Sequence, residues 1–442
     1  MEITQHYDEI ARCNKCGFCQ VACPIFRATG QESGVARGRL ALVRALIEGR
    51  MEWTRELEEP LFNCLLCGAC TTNCFPAVAT ADLVLAARSD YLNQVGRGPA
   101  HRLLFDHLLP HPGRLKLAVR AVSLGKKSGL SGIIRALGML RFLGPDFQKA
   151  EKIIDRFPDA ALRDVIKPGV LEGKGHKLRI AYFVGCGMDL VCPQAAQASV
   201  GLLLELGRTV EVLDNCCCGL PAMTYGDRQA ARKMAERNLS TMASGQFDVV
   251  VTDCSSCASF LKKYPELFAG DGATQLQAKE TASRVKDMVQ ALEMRSCAGT
   301  RLPERTRPLV VTYHDPCHAR RGQKLVREPR ELLKSLPDIE YREMPEADWC
   351  CGGAGSYALF HYDLSRKVLE RKIDNVAKTG ADVVVTSCPA CIIHLSYGVR
   401  RRGLPMRVLH ISEVVSGADE KTAPFQQAKI ENLDTSANLL RR

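Results

Sequence analysis

Cysteine spacing constrains this chain more tightly than any other feature. Of its 442 residues, 21 are cysteine, and most fall into two families of repeats. Cys13, Cys16, Cys19 and Cys23 recur as Cys64, Cys67, Cys70 and Cys74, and both copies read C-x2-C-x2-C-x3-C. A longer repeat follows. Cys186, Cys217-Cys218-Gly219 and Cys254-x2-Cys257 return as Cys317, Cys350-Cys351-Gly352 and Cys388-x2-Cys391 at nearly constant offsets. Such offsets argue for a duplicated domain whose copies differ by short loop insertions.

The first repeat, with Pro24 behind it, has the spacing of bacterial ferredoxins, in which three thiolates of one run hold a 4Fe-4S cube and the fourth holds the other cube. Three cysteines two residues apart wrap a tight loop around one cluster face. Gly17 and Gly68 let the backbone approach, and the fourth cysteine opens a helix leading elsewhere. The expected sets are therefore Cys13, Cys16, Cys19 and Cys74 for one cubane, and Cys64, Cys67, Cys70 and Cys23 for the other. Phe75, between Cys74 and Pro76, shifts a turn without removing a ligand. Zinc sites need two separated C-x2-C pairs, which a three-cysteine run fits poorly. Between the runs, Leu40, Val43 and Ile47 recur at helical spacing among Arg37, Arg39 and Arg44, which predicts a packing helix.

Each copy of the longer repeat opens with an apolar β-branched run ending at a cysteine, Leu178 to Val184 before Cys186 and Leu309 to Tyr313 before Cys317. Each closes on another, Val249-Val250-Val251 before Cys254 and Val383-Val384-Val385 before Cys388. Such runs, alternating with helical stretches, predict parallel sheets of α/β type, in which ligands gather at the carboxyl ends of strands. Five thiols would converge in each copy: Cys186, Cys217, Cys218, Cys254 and Cys257 in one, and Cys317, Cys350, Cys351, Cys388 and Cys391 in the other. That exceeds one tetrahedral zinc and suits an iron-sulfur assembly. Cys192, Cys216 and Cys297 fall outside both patterns and read as structural, and Gly352-Gly353-Ala354-Gly355 as backbone clearance around a cluster. His314 and His318, flanking Cys317, read as caps or hydrogen-bond donors to a cluster rather than iron ligands.

The expected fold is thus multidomain, a mostly helical two-cluster ferredoxin-like module followed by a duplicated α/β Cys-Cys-Gly domain with parallel sheets. Its divisions are the ferredoxin-like domain over 1–95, a basic helical connector over 96–175, Cys-Cys-Gly domains over 176–300 and 301–415, and a polar tail over 416–442.

The motifs Val184-Gly185-Cys186, Cys217-Cys218-Gly219-x-Pro221, Asp253-Cys254-x2-Cys257, His314-Asp315-Pro316-Cys317-His318, Cys350-Cys351-Gly352-Gly353 and Cys388-Pro389-x-Cys391, behind a twin ferredoxin motif, resemble the glycolate oxidase iron-sulfur subunit family. That family is similar to heterodisulfide reductase subunits. The resemblance implies two cubane 4Fe-4S clusters, and one or two further non-cubane 4Fe-4S clusters held by five cysteines in the Cys-Cys-Gly domains. It also implies a FAD-containing partner subunit that oxidises a 2-hydroxy acid of glycolate or D-lactate type, with quinone or another carrier as acceptor. The alternative it implies is a subunit whose Cys-Cys-Gly clusters reduce disulfides.

No GxGxxG after a strand and no P-loop occurs, so neither nicotinamide nor flavin is expected on this chain, and the sequence names no catalytic residue. Lysine and arginine outnumber acids by 11, and much of the excess lies in residues 101–150. There, residues 126–143 suit either an interfacial helix on anionic lipid or a connector helix packed on its own domain. Aromatic residues at 6% and the absence of a recognition motif argue against nucleic acid. An acidic N-terminus without a signal-peptide pattern predicts a cytoplasmic protein, with peripheral membrane contact through 126–143 as a hypothesis.

Overall fold

A computed structural model of the chain describes residues 2–128, 146–243, 245–294 and 308–417. Among these, nine strands form two sheets. The first holds β1 (Gly169–Glu172), β2 (Arg179–Tyr182), β3 (Thr209–Val212), β4 (Val249–Thr252) and β5 (Val285–Asp287) in the order β1-β3-β2-β4-β5. The second holds β6 (Leu309–Tyr313), β7 (Ile339–Tyr341), β8 (Val383–Thr386) and β9 (Arg407–His410) in the order β7-β6-β8-β9. The second sheet is wholly parallel. β4 and β8 are buried along their whole length, as unbroken β-branched runs in helix-covered parallel sheets should be.

The first sheet differs from expectation at its edge. β1, which the sequence placed in a helical connector, pairs antiparallel with β3, Gly169 opposite Val212. Its four residues are too few and too exposed to carry an alternation, so only the neighbouring edge selects their conformation. The Pro-Gly pair Pro112-Gly113 in the connector does not break the chain. Pro112 instead begins the helix Pro112–Lys127, where its missing N–H costs nothing.

The duplication extends to a matched hydrogen bond. The amide of Phe183, just past β2, donates to Val251 O at 2.8 Å, and that of His314, just past β6, donates to Val385 O at 2.9 Å. The halves also pack reciprocally. Helix Pro193–Leu206 of the first lies on Ile411–Val415 of the second, while Met288–Glu293 of the first lies on Glu328–Lys334 of the second. Where the carboxyl ends of β4 and β8 meet, Ser255 donates its amide to Ser387 O at 3.0 Å and shares a 2.8 Å hydroxyl contact with it.

Residues 2–95 are mostly helical. Ala36–Ile47 buries Leu40, Val43 and Leu46 against Leu57, Leu61, Leu83 and Ala87, the last two from helix Thr80–Val95. The proposed lipid-facing segment 126–143 lies almost wholly outside the described residues, as do Cys297 and the polar tail beyond 417. Among the described residues no helix is long and apolar enough to cross a membrane.

Candidate metal centres

All twenty described cysteines are free thiols. In the N-terminal module each three-cysteine loop turns through a left-handed glycine, Gly17 (φ 87°) and Gly68 (φ 71°), which caps the short helices Phe18–Ala22 and Ala69–Thr72. The two helices pack together, so the loops lie side by side. Cys23 caps helix Pro24–Thr29, its sulfur accepting the Phe26 amide at 3.5 Å. That turn carries Cys23 away from its own loop to Cys64 and Cys67, and Cys70 lies among Cys64, Cys67 and Cys23. Cys19 lies near both Cys13 and Cys23. Cys13 and Cys74 pack against one core, and Arg12 donates to Pro76 O at 2.9 Å, drawing the end of the second run toward the start of the first. Cys16 is exposed.

In the first Cys-Cys-Gly module thiol contacts run from Cys186 to Cys217, Cys218, Cys257 and Cys254. In the second they run from Cys317 to Cys350, Cys351, Cys391 and Cys388, with Cys351 and Cys391 sulfurs 3.6 Å apart. Two contacts between modules join these sets. Cys254 touches Cys388, and Cys350 touches Cys67 of the ferredoxin-like module. The thiols therefore form one continuous array from the second ferredoxin loop through both Cys-Cys-Gly modules.

Glycine follows each cysteine pair for a steric reason. Gly219 (φ 94°) and Gly352 (φ 85°) are left-handed, and a Cβ would come within 3.0 Å of Ala231 O in one and 2.7 Å of Ser365 O in the other. The clearance at Gly352 is thus against helix Tyr362–Lys378.

Burial and crowding shape the electrostatics. Contact with Cys350 and burial push the Cys67 thiol well up, and burial does the same to Cys70. Hydrogen bonds from Cys217 and Cys257 bring Cys218 down to about 5, those from Cys350 and Cys391 hold Cys351 low, and those from Cys254 and Cys391 hold Cys388 low. A bare array would hold a few thiolates and resist the rest, since each further charge is desolvated beside others. Metal charge removes that resistance, because ligation and ionisation of the thiols are coupled. The donor set thus fits iron-sulfur groups.

Several supporting residues carry no sequence signal. Arg88 is buried and donates to Leu61 O, to Cys64 O at 2.7 Å and to Thr224 O, tying the second ferredoxin loop to the first Cys-Cys-Gly module. Arg39, noted only as part of a packing helix, is buried with Nε on Pro60 O at 2.6 Å, beside Cys23 and Cys70. Asn238 accepts the Cys216 amide at 3.0 Å and donates to Cys217 O at 2.9 Å, and Tyr264 donates to Cys218 O at 2.7 Å. Cys216 faces Asn238, and Cys192 lies near Cys388 and Glu413. His318 is half-buried, 3.0 Å from the Ser256 hydroxyl and 3.8 Å from Cys317.

Comparison with known proteins follows the same divisions. A 4Fe-4S dicluster domain model matches residues 9–77, the linker region of glycolate oxidase iron-sulfur subunits matches 97–154, and a cysteine-rich domain model matches 180–262 and again 311–396. A probable glycolate oxidase iron-sulfur subunit of Bacillus subtilis is 32% identical, covering 94% of this chain and 95% of its own. The glycolate oxidase iron-sulfur subunit of Escherichia coli is 25% identical over the same shares. Lactate utilization protein A of a Geobacillus species is 30% identical over 54% of this chain and 99% of its own length. Since linker and cysteine modules match together along almost the entire length, the chain belongs to the glycolate oxidase iron-sulfur subunit family.

Proposed function

We propose that this chain is the electron-transfer subunit of a 2-hydroxyacid dehydrogenase complex of glycolate or D-lactate type, fed by a FAD-containing partner and delivering to quinone or another carrier. The observation that carries the reading is the continuity of the thiol array, through Cys67 to Cys350 and Cys388 to Cys254. Two cubane 4Fe-4S groups would be held by Cys13, Cys16, Cys19 and Cys74 and by Cys23, Cys64, Cys67 and Cys70, and two non-cubane groups by the two sets of five. When bound, such groups supply one-electron transfer. The protein's own part is to keep the ligands close, with the cysteine pairs and the C-x2-C thiols of the Cys-Cys-Gly modules buried, and to set buried Arg39 and Arg88 beside the ferredoxin thiols.

Exposure supports a docking face for the proposed donor. Around Cys16, the exposed cysteine of the first ferredoxin loop, Phe18, Val21 and Phe75 stand out at 59%, 64% and 84% exposure. Arg12 and Lys15 lie in the same loop region, so the fitting partner surface is apolar with an acidic rim.

The contact of the two Cys-Cys-Gly sets at Cys254 and Cys388 favours disulfide reduction as a second reading. Anaerobic purification with co-expressed partners, followed by iron, sulfide, zinc and flavin analysis and EPR, tests the first. About sixteen irons per chain, four for each of four clusters, supports it. About eight with zinc present limits the chain to a two-cubane relay on a structural scaffold. Reduction of disulfides by the isolated chain with an artificial donor would favour the second reading.

A further inference from the structure

The two Cys-Cys-Gly modules align about their cysteines, so their differences at matched positions around the thiols carry information. Tyr182-Phe183 at the end of β2 corresponds to Tyr313-His314 at the end of β6, with the matched amide bonds to Val251 and Val385. Three residues past the last thiol, Phe260 of the first module corresponds to His394 of the second. On the helix behind the cysteine pair, Asn238 corresponds to Lys372. The first module thus presents two phenyl rings and an amide, where the second presents two imidazoles and an ammonium group.

All three polar residues of the second module are buried, His314 at 1%, His394 at 2% and Lys372 at 0% exposure. Lys372 is spent on Glu346 O at 2.6 Å and Ala347 O at 3.1 Å, and His394 Nε2 meets the Ser365 hydroxyl at 3.0 Å. His314 is different. Neither ring nitrogen finds a hydrogen-bond partner, and a ring nitrogen and the sulfurs of Cys351 and Cys391 lie within 4.8 Å of one another. A buried imidazole without a partner is costly, because its polar atoms have been desolvated with nothing in return. The thiol array is what it faces.

We propose that, with an iron-sulfur group in place, His314 donates an N–H hydrogen bond to the sulfur of Cys351, and so holds the second Cys-Cys-Gly centre at a higher reduction potential than the first. This rests on the reading that both modules carry iron-sulfur groups. Hydrogen bonds to cluster sulfurs and local charge are what a protein uses to set potential. A donor stabilises the more negative, reduced state, and Phe183 can offer none. His314 positions charge through Cys351 and is not itself a ligand in this scheme, because five thiols would already supply the ligands. The two centres are therefore unequal, and the second, which touches the ferredoxin-like module through Cys350, is the easier to reduce.

The test is an EPR-monitored redox titration of the chain purified with its partner subunits, with iron counted in each sample. In His314→Phe, which installs the first module's residue, the second centre should become harder to reduce by about tenfold, which is about 59 mV for a one-electron couple. His314→Gln, which keeps an N–H, should recover most of the shift, and Phe183→His should move the first centre the opposite way. Pulsed EPR of the unmodified protein should show a weakly coupled nitrogen that His314→Phe removes. An unmoved potential at full iron content overturns the inference. So does a strongly coupled nitrogen with loss of iron in both His314 variants, which would make His314 a ligand. If the unmodified protein carries iron-sulfur groups only in its first seventy-four residues, the reading beneath it falls as well.

Discussion

The thiol of Cys67 touches that of Cys350, so a ferredoxin-type loop near the N-terminus delivers one of its cysteines directly to the cysteine pair of the last module. Arg321 secures the approach from the other side, donating to Asp348 O at 3.0 Å and toward Cys67 O. Tyr357 adds a 3.1 Å bond to Asn63 O. The seam is apolar otherwise, with Ile25, Leu65, Tyr357 and Val368 in one buried cluster.

This contact predicts an asymmetry between equivalent cysteines. Cys350→Ser should slow delivery of electrons beyond the ferredoxin-like module by at least tenfold, whereas Cys217→Ser should leave reduction of the second module intact. Freeze-quench EPR after mixing with a reductant separates the two, and equal effects would count against entry through the second module.

Crossed ligation makes its own prediction. Cys23→Ala should remove about four irons per chain, and the lost EPR signal should match that of Cys67→Ala. Matching the signal lost in Cys16→Ala would refute the assignment.

Arg88 is the buried tie between modules, and burial brings its guanidinium down to about 10. Arg88→Met leaves the carbonyls of Leu61, Cys64 and Thr224 without their donor, at about 3 kcal/mol in total. Denaturant unfolding should show that loss, and a change below about 0.5 kcal/mol, the usual range for surface substitutions, would mean that the carbonyls find other donors.

Asp227 gives the connector a pH dependence. Burial opposes its ionisation, but hydrogen bonds from His101, the Ala230 amide and Arg97 outweigh burial and bring it down to about 2. A carboxyl with a depressed folded value contributes stability that is complete above the unfolded value and is lost as pH falls toward 2. From the ordinary carboxylate value this is about 2 kcal/mol. Stability measured between pH 5 and 2 should fall less in Asp227→Asn than in the unmodified protein.

Phe75 tests the docking face. Phe75→Glu should weaken association with the proposed flavin subunit by at least tenfold while leaving iron content unchanged, as measured by analytical ultracentrifugation. Unchanged affinity would place the donor elsewhere.

The cysteine spacing alone determined the loop chemistry, because a C-x2-C-x2-C turn is set by covalent reach and by left-handed Gly17 and Gly68. It likewise determined the duplicated sheets, since unbroken runs such as Val249–Val251 and Val383–Val385 can only be buried between helices. What tertiary structure decided is which modules meet. The approach of Cys67 to Cys350, the burial of Arg88 and Arg39, the pairing of β1 and the exposure of His314 to the thiols depend on faces that fold together across long separations. Such faces leave no period or spacing in the chain. A His against a Phe at matched positions was legible in the repeat, but only the burial of a partnerless imidazole beside Cys351 and Cys391 gave that difference a physical meaning.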